Sequence, residues 1–321
     1  MNILVLGAGT FGTAIANEFA INVNNRVILF SRNQDKVDEI NRLHTNKNSF
    51  PNKYLSKQLI SSADANEIKR ADIIFIALPS SVIIDTLVRL ESYFKDNVLL
   101  VNLSKGLFRD GVTIVDEIKK SLNIDNIVTL KGPSFALELM EHADTLLTLG
   151  YTTQNQYDLI NKIVKNTSIH LDSTKDIRGV EVLSVLKNIY AVVLGVIDAK
   201  YNSPNTRFMI LTKAFSEIRN LLRSLGGSED TLFLACGFGD LCLTSLNDLS
   251  RNRTLGLLIG KGFFNTDYKS NSLILEGLNA INMVNQLVDD RLNKDLPIFI
   301  KLHNFFANQE KEMDFDFSEL Y

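Results

Sequence analysis

A lysine stands inside an otherwise greasy helical stretch. From Val180 to Ile197 the chain is apolar on most faces, yet Glu181, Ser184, Lys187 and Asn188 recur at helical spacing on one of them. Charged groups in such a stretch must be paired or must line a wet cavity. Two readings of Lys187 follow. It is a buried salt-bridge partner of Glu181, or it faces a cleft, where a partly dehydrated ammonium suits a general acid. Further on, Gly237-Phe238-Gly239-Asp240 forms a glycine-bounded turn that presents a carboxylate. Ser250-Arg251-Asn252 then precedes an apolar helical run. Hydroxyl, guanidinium fork, amide and helix N–H groups together make an anion site. The alternative is a Ser250 N-cap flanked by solvated arginines.

A second constellation lies at the N-terminus. Ile3 to Leu6 is a short buried strand, Gly7, Gly9 and Gly12 follow in G-x-G-x-x-G spacing, and Thr13 to Ala20 continues as a helix. In that context the glycines serve a dinucleotide. Gly7 makes the tight turn, Gly9 admits a pyrophosphate, and Gly12 brings helix against strand. The next strand, Arg26 to Phe30, ends in Ser31 and Arg32 without an acid. An Asp or Glu there would bind a ribose 2′-hydroxyl, whereas an arginine accommodates a 2′-phosphate. NADP is therefore accepted, with NAD still open. Later strand ends carry Lys105, in Ser104-Lys105-Gly106, and the Gly132-Pro133-Ser134 loop. Ligands bind at such ends in open parallel sheets.

The elements that must position these groups can be read in outline. Apolar strands at Ala71 to Pro79, Val98 to Asn102, Ile127 to Leu130, Leu146 to Leu149 and Ile169 to Leu171 alternate with helical segments. That alternation predicts a doubly wound, mostly parallel α/β domain over residues 1–176. After Asp176 the pattern turns helical: Val180 to Ile197, Phe208 to Leu225, Thr231 to Leu234, Leu255 to Ile259, Leu275 to Val288 and a helix opened by Pro297. Residues 177–321 are thus predicted to be an all-α domain, and the polar tail from Gln309 a solvated end. The chain has 321 residues, 45% hydrophobic and 22% charged, with a net charge of -3. Nothing in that balance favours a nucleic-acid or anionic-membrane partner. Cys236 and Cys242 form neither a disulfide framework nor a zinc set, so no metal is expected. Glu181, Lys187 and Asn188 argue against membrane insertion of the long helix. No leader is expected ahead of Met1, and a cytosolic location follows.

Taken together these motifs resemble one family. Gly7 to Ala14, Ser104-Lys105-Gly106, Gly132-Pro133-Ser134-Phe135-Ala136, Gly179-Val180-Glu181, Leu186-Lys187-Asn188, Gly239-Asp240-Leu241, Ser250-Arg251-Asn252 and Glu276-Gly277 occur in the order seen in bacterial NAD(P)-dependent glycerol-3-phosphate dehydrogenases. The resemblance spans essentially the whole chain. It implies that Lys187 is the catalytic acid/base. Lys105, Gly132, Ser134, Asp240, Ser250, Arg251 and Asn252 would meet the substrate. Gly7, Gly9, Thr10, Phe11, Gly12, Arg32, Lys105, Ala136, Arg251 and Glu276 would meet NAD or NADP, and a homodimer is expected. Phe11 stands where the family often has tryptophan.

The implied reaction is reversible hydride transfer between NAD(P)H and dihydroxyacetone phosphate, giving sn-glycerol 3-phosphate for glycerophospholipid synthesis. Two rivals remain at this level. Another two-domain reductase would share a lysine helix but need not have Ser250-Arg251-Asn252; a hydroxyacyl-thioester enzyme would want a His–Glu pair, and no histidine lies between His170 and His303. A nucleotide-sensing regulator would be expected to have lost the lysine.

Overall fold

The structure is a computed structural model and describes residues 1–108, 111–263, 272–288, 294–310 and 312–320. The chain divides into two compact units, one of Met1–Lys105 with Ile114–Ile177, the other of Gly106–Thr113 with Arg178–Tyr321.

The first unit is a sheet of eight strands. They are β1 (Asn2–Leu6), β2 (Arg26–Phe30), β3 (Ile60–Ser62), β4 (Ile73–Ile76), β5 (Leu99–Asn102), β6 (Ile127–Lys131), β7 (Thr145–Gly150) and β8 (Ile169–Thr174). Their order is β3-β2-β1-β4-β5-β6-β7-β8, with only β6 and β7 paired antiparallel. The central strands are apolar on both faces because helices cover both. Their side chains, with those of the helix Thr10–Phe19, form one core around Ile3, Val5, Phe19, Leu29, Phe75 and Val101.

β3 is the strand that hydrophobic patterning misses. Its sequence is Ile-Ser-Ser, and polar contacts hold it at the edge. The Ser61 N–H donates to Asn41 Oδ1 at 2.8 Å, Asn41 Nδ2 donates to Ser61 O at 2.9 Å, and Ser61 Oγ donates to Leu29 O at 2.8 Å. The strand expected from Ala71 to Pro79 is shorter, since Ala77 to Pro79 already form the loop at its end.

The second unit is helical, and among the described residues no strand follows β8. Its central helix, Ile177–Tyr201, is long and apolar enough to cross a membrane, but 94% of its apolar window is buried in the protein. It is a core helix, packed by the helices Pro204–Ser224, Arg251–Gly260, Ser272–Leu287 and Pro297–Ala307. Two expectations need correction. Glu229–Phe233 is a short 3-10 turn, where an α-helix from Thr231 to Leu234 was predicted. The tail is not solvated: Met313, Phe315 and Leu320 are buried in this unit's core. Its sparse apolar residues were outweighed by the charges between them.

One buried acid ties three helices of this core together. Glu217 is fully buried and accepts from the N–H groups of Ile298 and Phe299 at 2.8 and 3.0 Å, at the open start of the helix Pro297–Ala307. Tyr190, on the central helix, donates its hydroxyl to Glu217 Oε2 at 2.9 Å. Burial pushes the Glu217 carboxyl from 4.5 up to about 7, although all three hydrogen bonds pull the other way. Between those two values the folded chain keeps a proton that the unfolded chain has released. Stability therefore falls as pH rises through that window. Glu217→Gln should abolish this part of the pH dependence, read by chemical denaturation at both ends of the window. An equal loss in the variant and the parent would show that Glu217 is not its source.

Candidate active site

The first unit builds a nucleotide cradle from β1 and its neighbours. Gly7 adopts φ 118°, and a Cβ there would lie 2.5 Å from Ala77 O. A Cβ at Gly12 would lie 2.0 Å from Gly7 O, so the helix Thr10–Phe19 rests directly on the turn. Gly9 differs, for a Cβ there would meet nothing within 4 Å. It is also the N-cap of that helix, and no side chain caps the N–H groups behind it. Open space over bare helix N–H groups is where a pyrophosphate fits. A cavity of about 480 Å³ opens here, its wall including Gly7, Gly9, Phe30, Arg32, Leu78 and Pro79. It lies where strand order reverses between β1 and β4, the usual ligand crevice of such sheets. The residues present fit a dinucleotide. Thr10 is exposed, while Phe11 is half-buried against the core.

The parallel neighbours β1, β4, β5 and β6 end on one edge, which brings the remaining first-unit candidates to it. Lys105 follows β5, and Gly132 and Ser134 follow β6, with Ser134 Oγ donating to Gly132 O at 3.2 Å. Ala136 opens the short helix Ala136–Met140. A buried cation that sequence reasoning missed secures this edge. Lys131 Nζ donates to Ser104 O at 2.5 Å and to Asn102 O at 3.2 Å. Ser104 Oγ in turn donates to Leu78 O at 2.5 Å. The ends of β4, β5 and β6 are thereby laced together just before Lys105. The signal was a lysine closing an apolar strand ahead of Gly-Pro-Ser, a place where a solvated charge would be unusual.

In the second unit Lys187 is 4% exposed and Asp240 1% exposed. The ammonium of Lys187 is ion-paired with Asp240 Oδ1 and donates to Thr244 Oγ1 at 2.9 Å. Thr244 also donates to Asp240 Oδ1, at 3.3 Å. The carboxylate thus comes from a separate helix, Asp240–Leu246. A π-helical turn, Ala235–Gly239, delivers Asp240, and such turns gather at functional sites. Thr244 was not foreseen; its position one helical turn beyond Asp240 was the available clue.

Ser250 is buried and caps the helix Arg251–Gly260, accepting from the Arg253 N–H at 3.3 Å. The two arginines divide. Arg253 is buried, ion-paired with Asp198, with its Nε 3.0 Å from Asp248 Oδ1. Arg251 is exposed and Asn252 half-buried at the same helix start. Glu276 falls on the helix Ser272–Leu287, but its side chain lies outside the described residues.

Comparison with known proteins bears on the family. Residues 2–157 match the description "NAD-dependent glycerol-3-phosphate dehydrogenase N-terminus", and residues 176–315 match the corresponding C-terminus. A glycerol-3-phosphate dehydrogenase [NAD(P)+] of Methanothermobacter thermautotrophicus is 32% identical over 313 residues, covering 97% of this chain and 94% of its own. The chain belongs to the NAD(P)-dependent glycerol-3-phosphate dehydrogenase family. The Bacillus subtilis enzyme of the same description is 30% identical, over 96% of this chain and 91% of its own. The crystal structure of glycerol-3-phosphate dehydrogenase from Coxiella burnetii matches with a TM-score of 0.85 and 25% identity, over 97% of this chain and 95% of that one. Family membership agrees with the fold and with the order of the motifs.

The Ser250 corner is held against the Lys187 helix by glycine. A Cβ at Gly256 would lie 1.9 Å from Val192 O, and one at Gly195 2.3 Å from Arg253 O. Both are backbone atoms and cannot yield cheaply. Gly256→Ala should cost about 1–3 kcal/mol as an overpacked contact, read as a lowered Tm. An unchanged Tm would mean that the helices are not in backbone contact.

Proposed function

We propose that this chain catalyses the reversible interconversion of dihydroxyacetone phosphate and sn-glycerol 3-phosphate with NADH or NADPH. The observation that carries the reading is the buried Lys187–Asp240–Thr244 cluster. A bound reduced nicotinamide supplies the hydride that goes to C2 of the ketone.

Lys187 supplies the proton to the oxygen that becomes an alkoxide as C2 gains hydride. Asp240 holds the ammonium in place and offsets its charge in a buried setting, where an unpaired cation would be costly. In the reverse direction the neutral amine takes the hydroxyl proton back. Arg251, Asn252 and Ser250 hold the phosphate at a helix start. Ser250 Oγ already accepts from Arg253, a role that leaves its O–H as a donor. Binding energy from this non-reacting group positions the carbonyl. Gly132, Ser134 and Lys105 contribute further substrate contacts, with Lys105 also serving the cofactor. Gly7, Gly9, Thr10, Phe11, Gly12, Arg32, Ala136, Arg251 and Glu276 belong to the cofactor. The first unit is the dinucleotide-binding domain, and the helical unit is the catalytic one. The same reading includes a cytoplasmic homodimer. Exposed Phe208, Phe233 and Phe238 give the helical unit apolar surface to bury.

Lys187→Ala should lower turnover by about 10²–10⁴-fold while NADPH affinity, measured by fluorescence titration, stays within about twofold of the parent. Turnover at the parent rate would remove Lys187 as the acid. Arg251→Ala should raise KM for dihydroxyacetone phosphate by about tenfold or more, the worth of a charge-assisted hydrogen bond. An unaltered KM would show that the phosphate is held elsewhere.

A further inference from the structure

Three cations surround the cradle, and Arg32 is only one of them. Lys36 and Arg89 also line the cavity that Gly7, Ala8 and Gly9 open, and among the described residues lining it none is acidic. They come from different elements. Lys36 is in the first turn of the helix Gln34–Leu43, behind the N-cap Asn33. Its Nζ donates to Ala8 O at 3.0 Å, so this ammonium sits beside the glycine turn itself. Arg89 is on the helix Ile83–Leu90, where its Nε donates to Asp85 O at 2.9 Å. Val82, Thr86, Arg89 and Leu90 recur at helical spacing along the cavity wall.

Apart from Ser31, Asn33 and Thr86, the remaining side chains of this wall are apolar, among them Leu6, Phe30, Leu78, Pro79 and Val82. A flat base fits such a surface. An NAD-type ribose is usually met by an Asp or Glu at the end of β2; here Ser31, Arg32 and Asn33 line the cavity after that strand, with no carboxylate among them. Two negative charges spread over three oxygens are what several converging cationic donors recognise.

We propose that Lys36 and Arg89 join Arg32 in a phosphomonoester subsite that selects a dinucleotide carrying a 2′-phosphate on its adenosine ribose. The proposal rests on the cofactor reading above and adds two residues that the strand-end pattern does not reach. Lys36 ties the subsite to the glycine turn through its bond to Ala8 O. Arg89 lines the same cavity from the helix Ile83–Leu90. The three charges stand at or near the surface, so their joint effect weakens with salt.

Calorimetric titration with adenosine 2′,5′-bisphosphate and with AMP separates the 2′-phosphate from everything else these ligands share. Arg89→Gln and Lys36→Gln should each weaken the bisphosphate by about tenfold and change AMP by less than about twofold. In the parent, the preference for the bisphosphate should shrink as salt is raised. Equal weakening of both ligands would mean that these side chains serve the shared 5′-phosphate or the fold of the cradle, and would overturn the proposal. So would unchanged affinity for both ligands in both variants. If the parent bound neither nucleotide, the cofactor reading of the whole cavity would fall, and the subsite with it.

Discussion

An ammonium buried in an apolar helix is the constraint that shapes the second half of this molecule. Lys187 cannot stay charged there without a partner, and removing one member of a buried ion pair typically costs several kcal/mol. The fold answers with Asp240, brought by a π-helical turn, and with the hydroxyl of Thr244 on the same helix. Much of the surrounding packing follows. The helix that carries Lys187 meets the Ser250 helix so closely that Gly256 has room for no side chain. Arg253 then locks that corner to Asp198 and Asp248, which frees Arg251 for another role. The buried charge is thereby fixed on rigid helices and not on loops, the arrangement that best preserves its geometry.

The first unit solves a different problem with fewer charges. Its strands are apolar and need only parallel pairing to align their ends. Once aligned, the ends supply glycines for a phosphate, a lysine after β5 and a hydroxyl after β6. The buried Lys131 keeps those ends in register by donating to two backbone carbonyls. In the proposed reading each unit carries one part of the chemistry, the first the hydride carrier and the second the proton donor.

The fold was legible wherever hydrophobic pattern and chain position agreed. The strand–glycine–helix start, the alternation that follows and the long apolar helices were plain in the sequence. What escaped depended on polar contacts or on distant partners. β3 is held by Asn41 and by serine hydroxyls, so no periodicity marks it. The tail was misjudged because Met313, Phe315 and Leu320 are isolated among charges, yet a core was waiting for them. The site was legible as motifs, though not as contacts. Lys187 was identifiable as a charge needing an explanation, but its partner lies 53 residues away. Of the two arginines near Ser250 the resemblance singled out Arg251, and burial likewise separates it from Arg253.

The claim at the centre is that the Lys187 ammonium itself gives the proton. Chemical rescue addresses it directly. With alanine at position 187, small primary ammonium ions added to the assay should restore turnover, and the second-order rescue rate should rise with the acidity of the amine. Rescue absent for every amine that fits the vacated space, or independent of amine acidity, would contradict the account and leave Lys187 as a structural charge.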